Sequence, residues 1–252
     1  AILTIKRVKF QRLISGFSIM ELAIVMVIIS TLLGGLLVSI ASTQEVNNRI
    51  ETQNQLDDIL DALYGFAQVN GYLPCPAIPT SNGAEARTGV VCSTMHGFVP
   101  SATLGLSGRI NSDGLFLDSW LSAYRYSVTS ANGNAFTNQL GMSAALTALG
   151  TGFTMGNLTP DLRLCDAAAC ATIIADRLPV VILSLGKDWA EFDAADVDAS
   201  ENSGEATLDG YDMPADLDFV DAAYIEDTFD DLITWMSSSI FFTKMISAGQ
   251  LP

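Results

Sequence analysis

The sequence predicts an α+β protein in which a long N-terminal helix packs on an antiparallel β-sheet domain that also carries a C-terminal helix. Three observations predict it. Residues 22–40 hold no charged side chain and only Ser30, Thr31 and Ser39 as polar ones. Leu56, Ile59, Leu60, Leu63 and Phe66 then recur at three- and four-residue steps, with Asp57, Asp58 and Asp61 between them, which is the period of one buried helix face. Further on, short apolar or aromatic-alternating runs bounded by Gly, Pro and Asn read as strands.

The first element follows from charge placement. Lys6, Arg7, Lys9 and Arg12 precede the apolar run, and no basic residue follows until Arg49. As a helix, residues 22–40 extend about 29 Å, close to the thickness of a bilayer's hydrocarbon core. The positive-inside rule then leaves the N-terminus cytoplasmic and the rest of the chain outside. A secretory signal peptide fits less well, because the run is too long and no small-x-small cleavage site follows it. Glu21 sits at the edge of the run. A charge there costs a few kcal/mol on insertion scales, so it calls for a partner or for a place at the headgroup level.

The remaining elements are read in order. Gly71 and the Pro74-Cys75-Pro76 cluster end the helix, which spans about 80 Å if continuous over residues 17–70. Residues 77–114, rich in Gly, Ser, Thr and Pro, read as an irregular connector. Residues 115–129 (Phe116, Trp120, Tyr124, Tyr126, Val128) read as one or two strands, and Asn132-Gly133-Asn134 as a turn. Residues 137–158 give no assignment. Residues 178–185 are the clearest buried strand, and 229–247 read as the C-terminal helix. The organisation expected is therefore 1–16 as a cytoplasmic leader, 17–41 as a membrane or assembly helix, 42–71 as its amphipathic continuation, and 72–252 as an exported domain.

Charge excludes one large class of partner. All 28 acidic residues lie at or after Glu21, whereas four of the 12 basic ones lie in the first 16 residues. A surface so acidic repels nucleic acid and anionic lipid heads. Four cysteines in an exported domain point to disulfides. Of three pairings, the local one, Cys75 with Cys92 and Cys165 with Cys170, is expected. A four-thiolate zinc site is the competing reading, although the two-residue spacing usual within such pairs is missing.

The most biased segment is 188–231, with 16 acidic residues and no Lys or Arg. It reads as a solvated loop. The sharper reading is a calcium site, for which Asp193, Asp196, Asp198, Glu201, Asp209 and Asp212 supply hard oxygen donors without EF-hand spacing. No catalytic constellation stands out. His96, the only histidine, reads as a surface or turn residue, and no phosphate loop or H-E-x-x-H motif is present. Trp120, Trp189 and Trp235 read as core or rim aromatics. The expectation is a protein that is not an enzyme and holds no resident cofactor.

Gly16-Phe17-Ser18-Ile19-Met20-Glu21-Leu22 resembles the N-terminal signature of type IV pilins and type II secretion pseudopilins. The resemblance implies cleavage by a prepilin peptidase between Gly16 and Phe17, methylation of the new N-terminus at Phe17, and pairing of Glu21 with the N-terminal amine of a neighbouring subunit during assembly. Tyr72-Leu73-Pro74-Cys75-Pro76-Ala77, Gly97-Phe98-Val99-Pro100 and Asp230-Asp231-Leu232-Ile233-Thr234-Trp235 look like a subgroup of larger pilin-like proteins. The proline that many major pilins carry within the apolar helix is missing, which favours a minor pilin or a pseudopilin. The implied fold is pilin-like, and the implied role is a structural subunit of a type IV pilus-like filament. Other pilin subunits and the peptidase would be its partners, with the bacterial inner membrane as its anchor before assembly. A type II secretion pseudopilin is the alternative of the same kind. A calcium-dependent adhesin or ligand-binding tip module on a pilin helix is the alternative from another class.

Overall fold

The computed structural model describes residues 18–148, 157–189, 202, 217–225 and 229–252, with residues 33–42 described as helix backbone only. Helix α1 spans Ile19–Asn70. Ser18 begins it: its hydroxyl accepts the Met20 N–H at 3.3 Å and its carbonyl accepts the Leu22 N–H at 3.1 Å. A serine there satisfies one of the four donors a helix start leaves open. At the other end Gly71 turns the chain with a positive φ of 81°. The Gln250 amide donates to the carbonyls of Gln68 (2.9 Å) and Val69 (3.2 Å), so the last turn is closed by the chain's C-terminal segment.

The chain divides into two compact units, Ala1–Asn47 and Asn48–Pro252. Residues 48–71 of the amphipathic stretch fall within the second unit. Two strands, β1 (Arg87–Thr88) and β2 (Val91–Cys92), form a small hairpin. The central sheet has the order β3 (His96–Phe98), β4 (Arg125–Val128), β7 (Val180–Ser184), β9 (Leu232–Trp235), all antiparallel. A second sheet has β5 (Leu162–Cys165) between β6 (Ile173–Leu178), which is antiparallel to it, and β8 (Asp218–Val220), which is parallel. Helices α2 (Gly141–Ala148) and α3 (Ser238–Ser247) complete the named elements.

Strand alternation explains how the layers stack. Successive side chains of a strand point to opposite faces. Val180 and Ile182 of β7 join Tyr124, Tyr126 and Met236 against Leu56, Ile59 and Leu63 of α1. Val181 and Leu183 join Leu162, Leu164, Phe219 and Ile233 on the other side. The central sheet is therefore buried on both faces, by α1 on one and by the second sheet on the other. That is why β7 reads as a continuous apolar run and not as an alternation.

One expectation needs correction. The segment 229–247 is not all helix: Leu232-Ile233-Thr234-Trp235 pairs with β7, and only Ser238–Ser247 is helical. Positions 232, 233, 236 and 240 fit a helical period, but β-branched and aromatic side chains beside an open strand edge favour the sheet. The structure also narrows 115–129 to a single strand, β4, preceded by isolated bridges at Ile110–Phe116 and Leu117–Ala123. The positive φ of Asn132, Gly133 and Asn134 makes that segment a turn, as its composition suggested.

Both disulfides are local, Cys75–Cys92 and Cys165–Cys170. The first closes a loop of sequence separation 17. Replacing both Cys75 and Cys92 by serine is expected to lower stability by about 3 kcal/mol, the loss typical of a loop this size. Denaturant midpoints of the two proteins measure it, and an unchanged midpoint would show that the loop is held by its other contacts.

Candidate functional site

The residues singled out in the N-terminal signature fall on both sides of the first described residue. Gly16 and Phe17 lie outside the described residues. Glu21 occupies the first turn of α1 with its side chain exposed, where a carboxylate complements the positive end of the helix dipole. Ser18 and Glu21 have the Ser-x-x-Glu spacing of a capping box, and the Ser18 hydroxyl caps the N–H of Met20, the second helical residue. Sequence reading had passed over that signal, which was legible in the spacing alone.

Beyond Glu21 the apolar side chains are exposed on every face. Exposure runs from 63% at Val27 and Leu32 to 42% at Val25. Ile24, Val25, Met26, Val27, Ile28 and Ile29 are consecutive, so at about 100° per residue they go fully round the helix. A helix apolar all round is one that another apolar phase covers. Among the described residues no helix is long and apolar enough to cross a membrane. The fully described part of this apolar run stops at Leu32, because the side chains of residues 33–42 are not described.

Within the globular unit two groups of buried polar side chains bear on the question of a site. His96, expected at the surface, is fully buried on β3, facing Ser127 across the β3–β4 pair, where its Nδ1 is hydrogen-bonded to the serine hydroxyl. Its Nε2 has no hydrogen-bond partner among the described residues, and its ring lies 6.3 Å from that of Phe219. Burial first, and the Arg125 guanidinium second, push its pKa down to about 3. The Gly/Pro-rich flanks misled the sequence reading, since β3 is recruited only by long-range pairing with β4. Ser127 is likewise buried, so this pair presents no nucleophile to solvent.

The second group gathers at the end of β7. Asp118 accepts the N–H groups of Trp120 (2.9 Å) and Ser122 (2.8 Å) and the Ser184 hydroxyl (2.5 Å). Burial raises its pKa to about 6, the three hydrogen bonds pull against that rise, and nearby Asp230 adds to it. Asp230 accepts the Lys187 N–H through Oδ2 and packs on Gly186, where a Cβ would come within 2.4 Å of Oδ1. Only glycine fits there, and its φ of +65° suits glycine as well. Asp231 accepts the Asn202 amide at 2.7 Å, and Asp218 pairs with Arg163 through two bonds of 2.5 and 2.7 Å. Asp218, Asp230 and Asp231 are buried, so this part of the acidic segment is structural and not a solvated loop.

The calcium candidates Asp193, Asp196, Asp198, Asp209 and Asp212, with Glu201, lie outside the described residues. Among the described residues one group has metal-like spacing: Cys165, Cys170 and Asp218, with ligand atoms within 4.8 Å of one another. The two sulfurs are bonded to each other and Asp218 is held by Arg163, so the donors are already committed. Zinc needs thiolates, and a disulfide has none.

The fold and the site together define an α+β domain continuous in sequence with a helix whose N-terminal stretch is apolar on all sides. Comparison of the chain with protein-family models, with curated proteins and with solved structures finds no match in any of the three.

Proposed function

We propose that this chain is a structural subunit, a minor pilin, of a type IV pilus-like filament, anchored in the inner membrane before assembly. One observation carries the reading: the all-round apolar exposure of α1 up to Leu32, directly after the Gly16-Phe17-Ser18-Ile19-Met20-Glu21 signature. Exposed aliphatic surface of that kind is unstable in water and suits lipid first and neighbouring helices later. The pilin-like fold, the inner-membrane location, the peptidase and the partner subunits belong to this proposal.

Mass spectrometry of the mature N-terminus, from cells with and without a prepilin peptidase, tests it. An N-methylated Phe17 that depends on the peptidase is the expected result. An intact leader, or cleavage elsewhere, would sink the assignment. Because Glu21 also stands at a capping position, Glu21→Gln is the informative variant: it keeps a hydrogen-bonding side chain at the helix start and removes the charge. It is expected to be cleaved normally and to enter filaments at least tenfold less than the parent, read by immunoblot of sheared filaments.

A further inference from the structure

We propose that one rim of the globular unit is a lipid-interface surface, which rests on a membrane-anchored chain as proposed above. The rim surrounds residues 49–52 of α1, where the helix enters the unit. Several independent contacts bring it together. The Ser119 N–H donates to the Thr52 hydroxyl at 3.4 Å, which places the Trp120–Leu121 turn beside the helix. The Trp189 indole N–H donates to the Trp120 carbonyl at 3.2 Å. Arg109 pairs with Glu51 at 3.6 Å and carries Ile110 to the same place. The Arg49 guanidinium lies 3.7 Å from the centre of the Tyr224 ring, which brings Tyr224 and Ile225 in.

The side chains so gathered are the wrong ones for water. Ile110 is 61% exposed, Ile225 57%, Leu121 55%, and Trp189 and Tyr224 39% each. Leu121 is held there in the left-handed region, φ +70°, a conformation a leucine adopts only under constraint. The constraint is visible: buried Asp118 binds the N–H groups on either side of it. Asp230 does the same for the turn that leads to Trp189, through the Lys187 N–H. Two buried carboxylates thus hold turns that present the Leu121 side chain and the Trp189 indole outward.

Chemistry selects the occupant. Indole and phenol rings with an apolar body and a polar edge favour the membrane–water boundary, and Arg and Lys there reach lipid phosphates. Arg49 and Arg109 supply two cations to this rim, and Lys187 lies two residues before Trp189, out of the eight basic residues that follow residue 16 in a strongly acidic chain.

The test uses the full chain reconstituted in phosphatidylcholine vesicles containing a lipid spin-labelled at the headgroup. Three single-tryptophan forms are compared, each keeping Trp120, Trp189 or Trp235 with phenylalanine at the other two. The inference expects the Trp120 and Trp189 forms to be quenched at least threefold more than the Trp235 form, which reports from β9. An Arg49→Gln/Arg109→Gln/Lys187→Gln variant is expected to lose at least half of that quenching. Equal quenching of all three in chains that float with the vesicles would overturn the inference and leave the anchoring proposal standing. Failure to float would overturn both. Protection of Trp120 and Trp189 that rises with chain density, and not with labelled lipid, would assign the rim to a second copy of the chain and overturn the lipid assignment.

Discussion

Phe219→Ala is expected to lower stability by about 3–5 kcal/mol, the range for emptying a fully buried aromatic site. Phe219 has no exposed surface and sits on β8 within the apolar layer between the two sheets, among Leu162, Leu164, Val181, Leu183 and Ile233. Its neighbours stand on two sheets whose separation is set by many other contacts, so the layer has little freedom to close over the void. Denaturant unfolding of the full chain in detergent reads the effect. Ile240→Ala, at a position 51% exposed, is the control and is expected to change stability by no more than about 0.5 kcal/mol. A loss below about 1 kcal/mol at Phe219 would mean that the second sheet does not stack on the central one.

The second large effect is a pH dependence hidden by compensation. His96 has a folded pKa near 3 against 6.5 unfolded, so the unfolded chain binds more protons between these values. Its contribution is present above about 6.5 and is lost as pH falls towards 3, about 5 kcal/mol in all. Asp118 has the opposite sign. Its folded pKa is near 6 against 3.8 unfolded, so the folded chain binds more protons in that window. It weakens the fold by about 3 kcal/mol above pH 6, and the penalty is relieved as pH falls towards 3.8. Between about pH 6 and 4 the two slopes oppose each other, and their joint contribution is nearly flat. His96→Asn is expected to uncover the Asp118 slope, with stability rising as pH drops from 6 to 4. Asp118→Asn is expected to uncover the His96 slope, with stability falling from about pH 6.5 downward. Unfolding midpoints at pH 7, 6, 5 and 4 separate these outcomes. Parallel curves for all three proteins would show that neither group is buried as described.

Much of the local structure was legible in the residues. The amphipathic step of Leu56, Ile59 and Leu63 put those side chains on the buried face of α1, and the apolar run at 180–183 is the strand at the middle of the central sheet. Cys75–Cys92 and Cys165–Cys170 pair locally, as short separations favour. The turn at Asn132-Gly133-Asn134 follows from residues that tolerate positive φ. All of these are written in spacing along a few residues, where periodicity and turn chemistry act.

What spacing did not carry was set by partners far along the chain. His96 looked like a loop residue and is sealed in the core because β4, about thirty residues on, pairs with it. Residues 232–235 fit a helical period and became β9 because β7 offered an edge. Aspartates 218, 230 and 231 belong to the most acidic stretch of the chain, yet are buried because Arg163, the Lys187 N–H and Asn202 reach them. The sequence by itself determined the α+β class, the exposed apolar helix start and the local disulfide pairing, since each depends on neighbours within a turn or a short loop. Only the tertiary structure decided which polar groups are buried and which strands share a sheet. Those outcomes rest on desolvation and hydrogen bonds between segments whose meeting no local pattern encodes.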